Sequence, residues 1–357
     1  MRPALRAAIT AGSIVLVTAI ALAVRSLTAY GVFTDVTPNF SGSCKAVATP
    51  DGPGDILIDS PSGLAFVSVT DRRAHAAGKP SPRDGIYVFA LKDPAPHLRK
   101  LAGTPSDFHP YGISLSRDSH GQVTLFAINR RAGGENSIET FGVPAGAAKL
   151  DHLGSIESDE LVDPESIAAL DGERFYVTNT HATVSSFGRW LDDMLVLPRA
   201  NILYFNGYTF RVVATALNTP RGVAASPDGN YLYVAEAYNR RLMAFSIGQL
   251  SGALQEAGNL AVPANLDHLA FDAKGHLWLA GQPKAFAMAD YRADPSKPAP
   301  SEIFNVVLSA AIPQVATPVY VNAGGQIGGA STAAVSGDRL FVGSAYDRKI
   351  LDCTMAQ

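Results

Sequence analysis

Three carboxylates, one guanidinium, one imidazole and a phenol carry most of the chemistry that can be read in this chain: Asp55, Glu165 and Asp267, Arg221, His268, and Tyr111. Carboxylates and imidazoles move protons, a phenol donates one, and a guanidinium steadies a developing oxyanion. Carboxylate oxygens also suit a hard cation such as calcium. Their positions make them a set. Gly54-Asp55, Tyr111, Glu165-Ser166, Arg221, Asp267-His268 and Ser331 each open a short strand, one in each of six repeats. Other chemistries lack their residues. There is no Gly-x-Ser-x-Gly elbow, no Cys-x-x-Cys, no His-Glu-x-x-His and no phosphate-binding glycine loop. Gly324-Gly325 to Gly328-Gly329 opens no helix and reads as a turn.

The elements that must position this set repeat. A run of large apolar residues ending in a small or polar one starts at Leu64, Leu125, Phe175, Leu232, Leu277 and Leu340, at intervals of 61, 50, 57, 45 and 63 residues. Turns precede these runs, as at Ser226-Pro227-Asp228-Gly229 and Asp272-Ala273-Lys274-Gly275. Before each turn a further strand is expected, beginning at Asp55, Gly112, Ser166, Gly222, His268 and Thr332. Each unit has room for four short strands, which is one propeller blade. The expected fold is therefore all-β, a six-bladed β-propeller over residues 40–357. In such a ring the innermost strand of every blade follows the central channel, so its first residues converge on one mouth. A polar ring there is either a site or an ion-pair plug that holds the blades together. The expected ligand-binding members are Glu165, Asp267 and Ser331, and the expected catalytic members Tyr111, Arg221 and His268.

The first 30 residues differ. Arg2 and Arg6 precede an apolar stretch of 18 residues, Ala7 to Val24, and Arg25 follows it. That length sits at the lower limit for a bilayer-spanning helix, and Ala21-Leu22-Ala23 is a small-residue cleavage pattern. An uncleaved signal anchor and a cleaved signal peptide both fit, and both export the rest of the chain, leaving it membrane-anchored or secreted. In an oxidising compartment the two cysteines, Cys44 and Cys353, pair. A bond closing a loop of this length is worth about 5 kcal/mol in the chain-entropy model. Net charge is −3 and no Lys/Arg-rich run occurs, so nucleic acid is not an expected partner.

These segments resemble the paraoxonase (arylesterase and lactonase) family. The resemblance runs through Gly54-Asp55-Ile56, Gly63-Leu64-Ala65-Phe66, Pro110-Tyr111-Gly112-Ile113-Ser114 and Phe175 to His181. It continues through Ser226 to Glu236, Asp272 to Trp278, Pro300-Ser301-Glu302 and Gly329 to Cys353. Regucalcin, the gluconolactonases and strictosidine synthase are related propellers. The resemblance implies hydrolysis of a small-molecule ester or lactone at a calcium ion in the channel mouth. The family's ligands there, a Glu, two Asn and an Asp-Asn pair, fall at Gly54, Glu165, Arg221, Asp267 and His268. Its catalytic His falls at Tyr111, a second His is kept as His181, and a further His falls at Gln282, so the resemblance adds His181 to the expected catalytic residues and Gln282 to the expected ligand-binding ones. A second, buried calcium falls at Asp55, the Ile113 carbonyl and Ser166. Of all these, Asp55, Glu165 and Asp267 remain as candidate metal ligands. The fixed charge of Arg221, flanked by Glu165 and Asp267, stands in for the ion in this reading. The resemblance also places an amphipathic lid at Ser185 to Arg199, with a helix expected over Ser186 to Leu197, against a membrane. Three functions stay open: an ester or lactone hydrolase, a catalytically silent propeller that binds a ligand or partner at the same mouth, and a different enzyme on this fold.

Overall fold

The computed structural model describes residues 3–356. Arg2, read above as flanking the apolar stretch, lies outside the described residues. Six antiparallel sheets follow one another around a central axis. The inner strands of blades 1 to 6 are Pro53–Asp59, Pro110–Arg117, Pro164–Ala169, Pro220–Ala225, Asn265–Phe271 and Ala330–Ser336. Their hairpin partners are the strands seen as apolar runs in the sequence, starting at Leu64, Val123, Phe175, Tyr231, Leu277 and Arg339. A tight turn makes each hairpin. In blade 4 the Gly229 amide donates to the Ser226 carbonyl at 2.8 Å with Gly229 at φ 70°, a conformation open to glycine.

An apolar cluster fills each gap between neighbouring blades. Phe66, Leu125 and Phe141 pack between blades 1 and 2, and Tyr176, Val234 and Met243 between blades 3 and 4. Each fully buried side chain of this kind contributes roughly 1.5–3 kcal/mol. Stacked sheets bury both faces, which is why the hairpin strands read as unbroken apolar runs rather than as alternating ones.

The ring closes with a strand from the other end of the chain. Gly42–Ala48 pairs with Lys349–Met355 as the outermost strand of blade 6. Cys44 lies directly opposite Cys353 in that pair, and the two form a disulfide across 309 residues of sequence. Their Cα atoms are 3.9 Å apart, closer than the usual 4.4–6.8 Å, because they face each other squarely on adjacent antiparallel strands.

Among the described residues four helices stand outside the sheets. Helix α1, Pro3–Ala29, includes a 21-residue span, Ile9–Ala29, that is long and apolar enough to cross a bilayer; only its last residues touch the propeller, where Ala29 is buried. Helix α2, Arg72–Ala76, is capped by Asp71; α3, Ser186–Met194, by Ser185. Helix α4 spans Ala285–Ala293. Helix α3 ends three residues before the expected Leu197, since Val196 turns to φ 53° and breaks the helical path. The sequence reading did not anticipate α2 and α4; both are short inserts whose residues show no long helical period.

Candidate active site at the channel mouth

The inner strands begin two or three residues earlier than the repeat suggested, and the difference shapes the site. Each pairs with its neighbour through a register shift near its start. The shifts lie between Pro53 and Asp55, Pro110 and Ile113, Pro164 and Ser166, Pro220 and Gly222, Leu266 and Leu269, and Ala330 and Thr332. A bulge leaves a residue unpaired and re-aims its side chain. The residues so placed are Gly54, Tyr111, Glu165, Arg221, Asp267-His268 and Ser331. In four blades a proline opens the strand, a position where its missing N–H costs no ladder hydrogen bond. The blades meet closely here. A Cβ on Gly112 would lie 2.6 Å from the Glu165 carbonyl oxygen, and one on Gly222 would lie 2.3 Å from that of Asp267.

Two arginines that sequence reasoning missed organise one half of the mouth. Arg72, at the start of α2, and Arg130, at the end of the second strand of blade 2, lie over the Tyr111 ring at 4.0 and 4.2 Å. Each also donates to one oxygen of Glu165 at 2.9 Å. Arg130 further reaches Asp163 at 3.0 Å and the Pro164 carbonyl at 2.9 Å. Burial would raise the Glu165 pKa, but the two guanidinium charges outweigh it and hold the carboxyl at about 2. Burial pushes the Tyr111 phenol up against the pull of the same arginines, so this phenol stays protonated. Gly54 makes room for the clamp, since a Cβ there would stand 3.2 Å from Arg72 Nη2. Register signals Arg130, because the second strand of a blade ends beside the first strand's start. Arg72 sits in a loop insert and leaves no such signal.

The other half is looser. Arg221 comes no nearer than 4.0 Å to the Asp267 carboxylate, its guanidinium lies 5.7 Å from the Tyr238 ring, and it makes no hydrogen bond among the described residues. The expected pairing with Asp267 is thus long, and Glu165 belongs to Arg72 and Arg130 instead. Asp267 accepts from Gln282 at 2.8 Å and from the His268 amide at 3.1 Å. Burial raises its pKa, with His268 and Arg221 opposing. Below the mouth, His268 Nδ1 lies 3.3 Å from Ser166 Oγ and 3.6 Å from Asp55, while its Nε2 is buried without a hydrogen-bond partner. Asp55 accepts from the Ile56 and Ile113 amides at 2.9 and 3.0 Å. These three residues line a channel cavity of about 230 Å³ that continues past Leu115 and Ala225 to Phe271. Ser331 donates to the Gly54 carbonyl at 2.7 Å and so ties blade 6 to blade 1.

His181 stands at the rim. Its Nδ1 faces Asp163 at 2.6 Å and its Nε2 faces Asp193 of α3 at 3.1 Å. Burial lowers its pKa, but the two carboxylates more than reverse this and lift it to about 9. It is therefore an imidazolium at neutral pH that pins α3 to the propeller, and not a free base. The end of α1 reaches the same rim. Tyr30 stacks between Tyr238 and Phe286 at 4.9 and 4.7 Å, Arg25 donates to the Val196 carbonyl at 2.8 Å, and Ser26 to that of Met194 at 2.7 Å.

The donors do not fit the calcium sites that the resemblance implies. At the mouth, Gly54 offers no side-chain oxygen, Arg221 brings a fixed cation, and both Glu165 oxygens are committed to arginines. At the inner position both Asp55 oxygens accept backbone amides and the His268 ring sits against Asp55 and Ser166. Asp55, Glu165 and Asp267, expected as ligands, are thus not gathered into one set. No group of three or more His, Cys, Asp or Glu side chains able to hold a metal occurs among the described residues.

Comparison with known proteins places this geometry. The sequence profile described as Arylesterase matches residues 36–355. The human protein named serum paraoxonase/arylesterase 2 is 29% identical over 305 residues, covering 83% of each chain. Rat serum paraoxonase/arylesterase 1 is 26% identical over 330 residues, covering 90% of this chain and 92% of its own. Among solved structures, a luciferin-regenerating enzyme superposes with a TM-score of 0.55 at 11% identity, covering 88% of this chain and 95% of that one. A calcium-binding regucalcin from Agrobacterium tumefaciens gives 0.53 at 13%, covering 90% and 98%. At such identity the structural likenesses speak for the fold, whereas the profile spans nearly the whole propeller: the chain belongs to the arylesterase (paraoxonase) family.

Proposed function

We propose that the chain is an exported hydrolase of carboxylic esters or lactones acting at the channel mouth. One observation carries this beyond family membership: Arg221, with a side chain 18% exposed and no hydrogen bond among the described residues, stands 4.0 Å from the Asp267 carboxylate. A guanidinium of this kind holds a carbonyl oxygen, and the adjacent carboxylate serves a water. In the step proposed, the water oxygen bonds to the carbonyl carbon and Asp267 takes its proton. Arg221 steadies the oxyanion, the C–O bond breaks, and the proton passes to the leaving alkoxide. Tyr111, held between two guanidinium groups, and His181, held by two carboxylates, act as positioning residues. No step here depends on a metal.

The same reading sets the mouth beside a membrane, with α1 as anchor. Phe33, Val184, Phe187, Trp190 and Phe286 stand exposed on the segments around the rim where α1 ends. The test is hydrolysis of phenyl acetate and a medium-chain lactone by the full chain in detergent, with metal content measured alongside. Arg221→Met should lower kcat/KM by roughly 100-fold or more, the usual cost of one oxyanion donor. Turnover unchanged in that variant would refute the assignment. Ligand binding without turnover would favour the silent propeller.

A further inference from the structure

We propose that the mouth is a fixed-charge anion site whose ligand is a small monocarboxylate bound by Arg221, and that it does not take up a divalent cation. The inference concerns the same mouth but stands whether or not the chain hydrolyses esters.

Four of the five carboxylates there, Asp55, Asp163, Glu165 and Asp267, already accept on both oxygens. Glu165 accepts one guanidinium on each oxygen, at 2.9 Å. Asp163 is met by Arg130 at 3.0 Å, Arg189 at 3.3 Å and His181 at 2.6 Å. Asp267 takes Gln282 and the His268 amide; Asp55 takes Thr332 at 3.1 Å besides its two amides. The donors are not used up. Arg221 makes no hydrogen bond among the described residues, and Arg72 Nε is buried without a partner. A pocket with spare donors and mostly spent acceptors selects a ligand that accepts.

Charge points the same way. The guanidinium groups of Arg72, Arg130, Arg189 and Arg221, with the His181 imidazolium, face the carboxylates of Asp55, Asp163, Glu165, Asp193 and Asp267. The set is neutral, so an entering divalent cation would leave two uncompensated charges in a mostly buried site. A monocarboxylate adds one, opposite in sign to the nearest free group. The planar guanidinium fork matches a carboxylate in a two-point bond, which a chloride or a neutral ester cannot form. The acid product of ester or lactone hydrolysis is such a monocarboxylate.

The experiment uses the full chain in detergent, with benzoate as probe, calcium chloride and a chelator as comparisons, and melting temperature and calorimetric titration as readouts. Benzoate should bind with one-to-one stoichiometry and raise the melting temperature. Calcium and chelator should each leave it unchanged, and the purified chain should carry no stoichiometric metal. Arg221→Met should weaken benzoate binding at least tenfold. Arg221→Lys, which keeps the charge and loses the fork, should recover only part of it. Stoichiometric calcium, a melting temperature that falls with chelator, or equal benzoate binding by wild type and Arg221→Met would each overturn the proposal. Hydrolysis measured in parallel separates the two ideas: benzoate binding without turnover removes the hydrolase reading alone, and turnover without benzoate binding removes this one alone.

Discussion

Replacing Arg130 by Met should be among the most damaging single changes in this chain, and more damaging than the same change at Arg221. Arg130 reaches Asp163 at 3.0 Å, Glu165 at 2.9 Å and the Pro164 carbonyl at 2.9 Å, and lies over Tyr111 at 4.2 Å. Its side chain is 19% exposed, and those of Asp163 and Glu165 are 7% and 10% exposed. Methionine fills much of the aliphatic volume but leaves two buried carboxylates short of a partner. Removing one member of a buried ion pair costs about 3–5 kcal/mol, mostly because the other charge stays desolvated. The lost cation–π contact, worth about 1–2 kcal/mol, is part of that cost and is not added to it. Arg221→Met should cost about 1 kcal/mol or less, since its one ion pair is 4.0 Å long and it makes no hydrogen bond among the described residues. Urea unfolding followed by tryptophan fluorescence and circular dichroism measures both variants. At an unchanged m-value the midpoint should fall clearly for Arg130→Met and slightly for Arg221→Met. A loss below about 1 kcal/mol at Arg130, or the reverse order, would refute the claim that the Arg72–Tyr111–Arg130 clamp, not Arg221, holds the mouth together.

His181 makes stability depend on alkaline pH. Its pKa is raised from 6.5 to about 9, so its contribution is complete below pH 6.5 and is lost as pH rises through about 9. His181→Gln should therefore remove about 3 kcal/mol at pH 6 and flatten the fall between pH 6.5 and 9; parallel profiles for the two proteins would rule this out. Glu165 works in the opposite sense: held at about 2, it contributes above pH 4.5 and is lost as pH falls toward 2, so Glu165→Gln should blunt acid unfolding in that range. Replacing Cys44 and Cys353 together by Ser should cost up to about 5 kcal/mol, with hydrogen exchange rising first in Gly42–Ala48, the strand that closes the ring. Gly222→Val forces a Cβ to within 2.3 Å of the Asp267 carbonyl oxygen, so it should destabilise by several kcal/mol and abolish benzoate binding, whereas Gly229→Asn, at a turn with open space around it, should do neither.

The six blades were legible in the chain because their determinants are local. An apolar strand, a tight turn and a second strand recur, and each signal is complete within a dozen residues. The clasp was legible too, since two cysteines in one chain allow one pairing within it. The ring of residues at the mouth followed from register: the first residue of an inner strand points where the blade's geometry sends it, whichever blade it is. What lay beyond the sequence was which charge meets which. Arg72 and Arg130 take Glu165 because their long side chains cross from other strands and loops, and because Gly54 leaves space for one of them. That choice depends on distances between blades far apart in the chain. Arg221 is left nearly unpaired for the same reason: the carboxylate it was expected to share is held by nearer partners. Local patterning decided the scaffold and the identity of the groups at its mouth. The packing of six blades around one axis decided which of those groups are spent on holding it together and which is left without a hydrogen bond among the described residues.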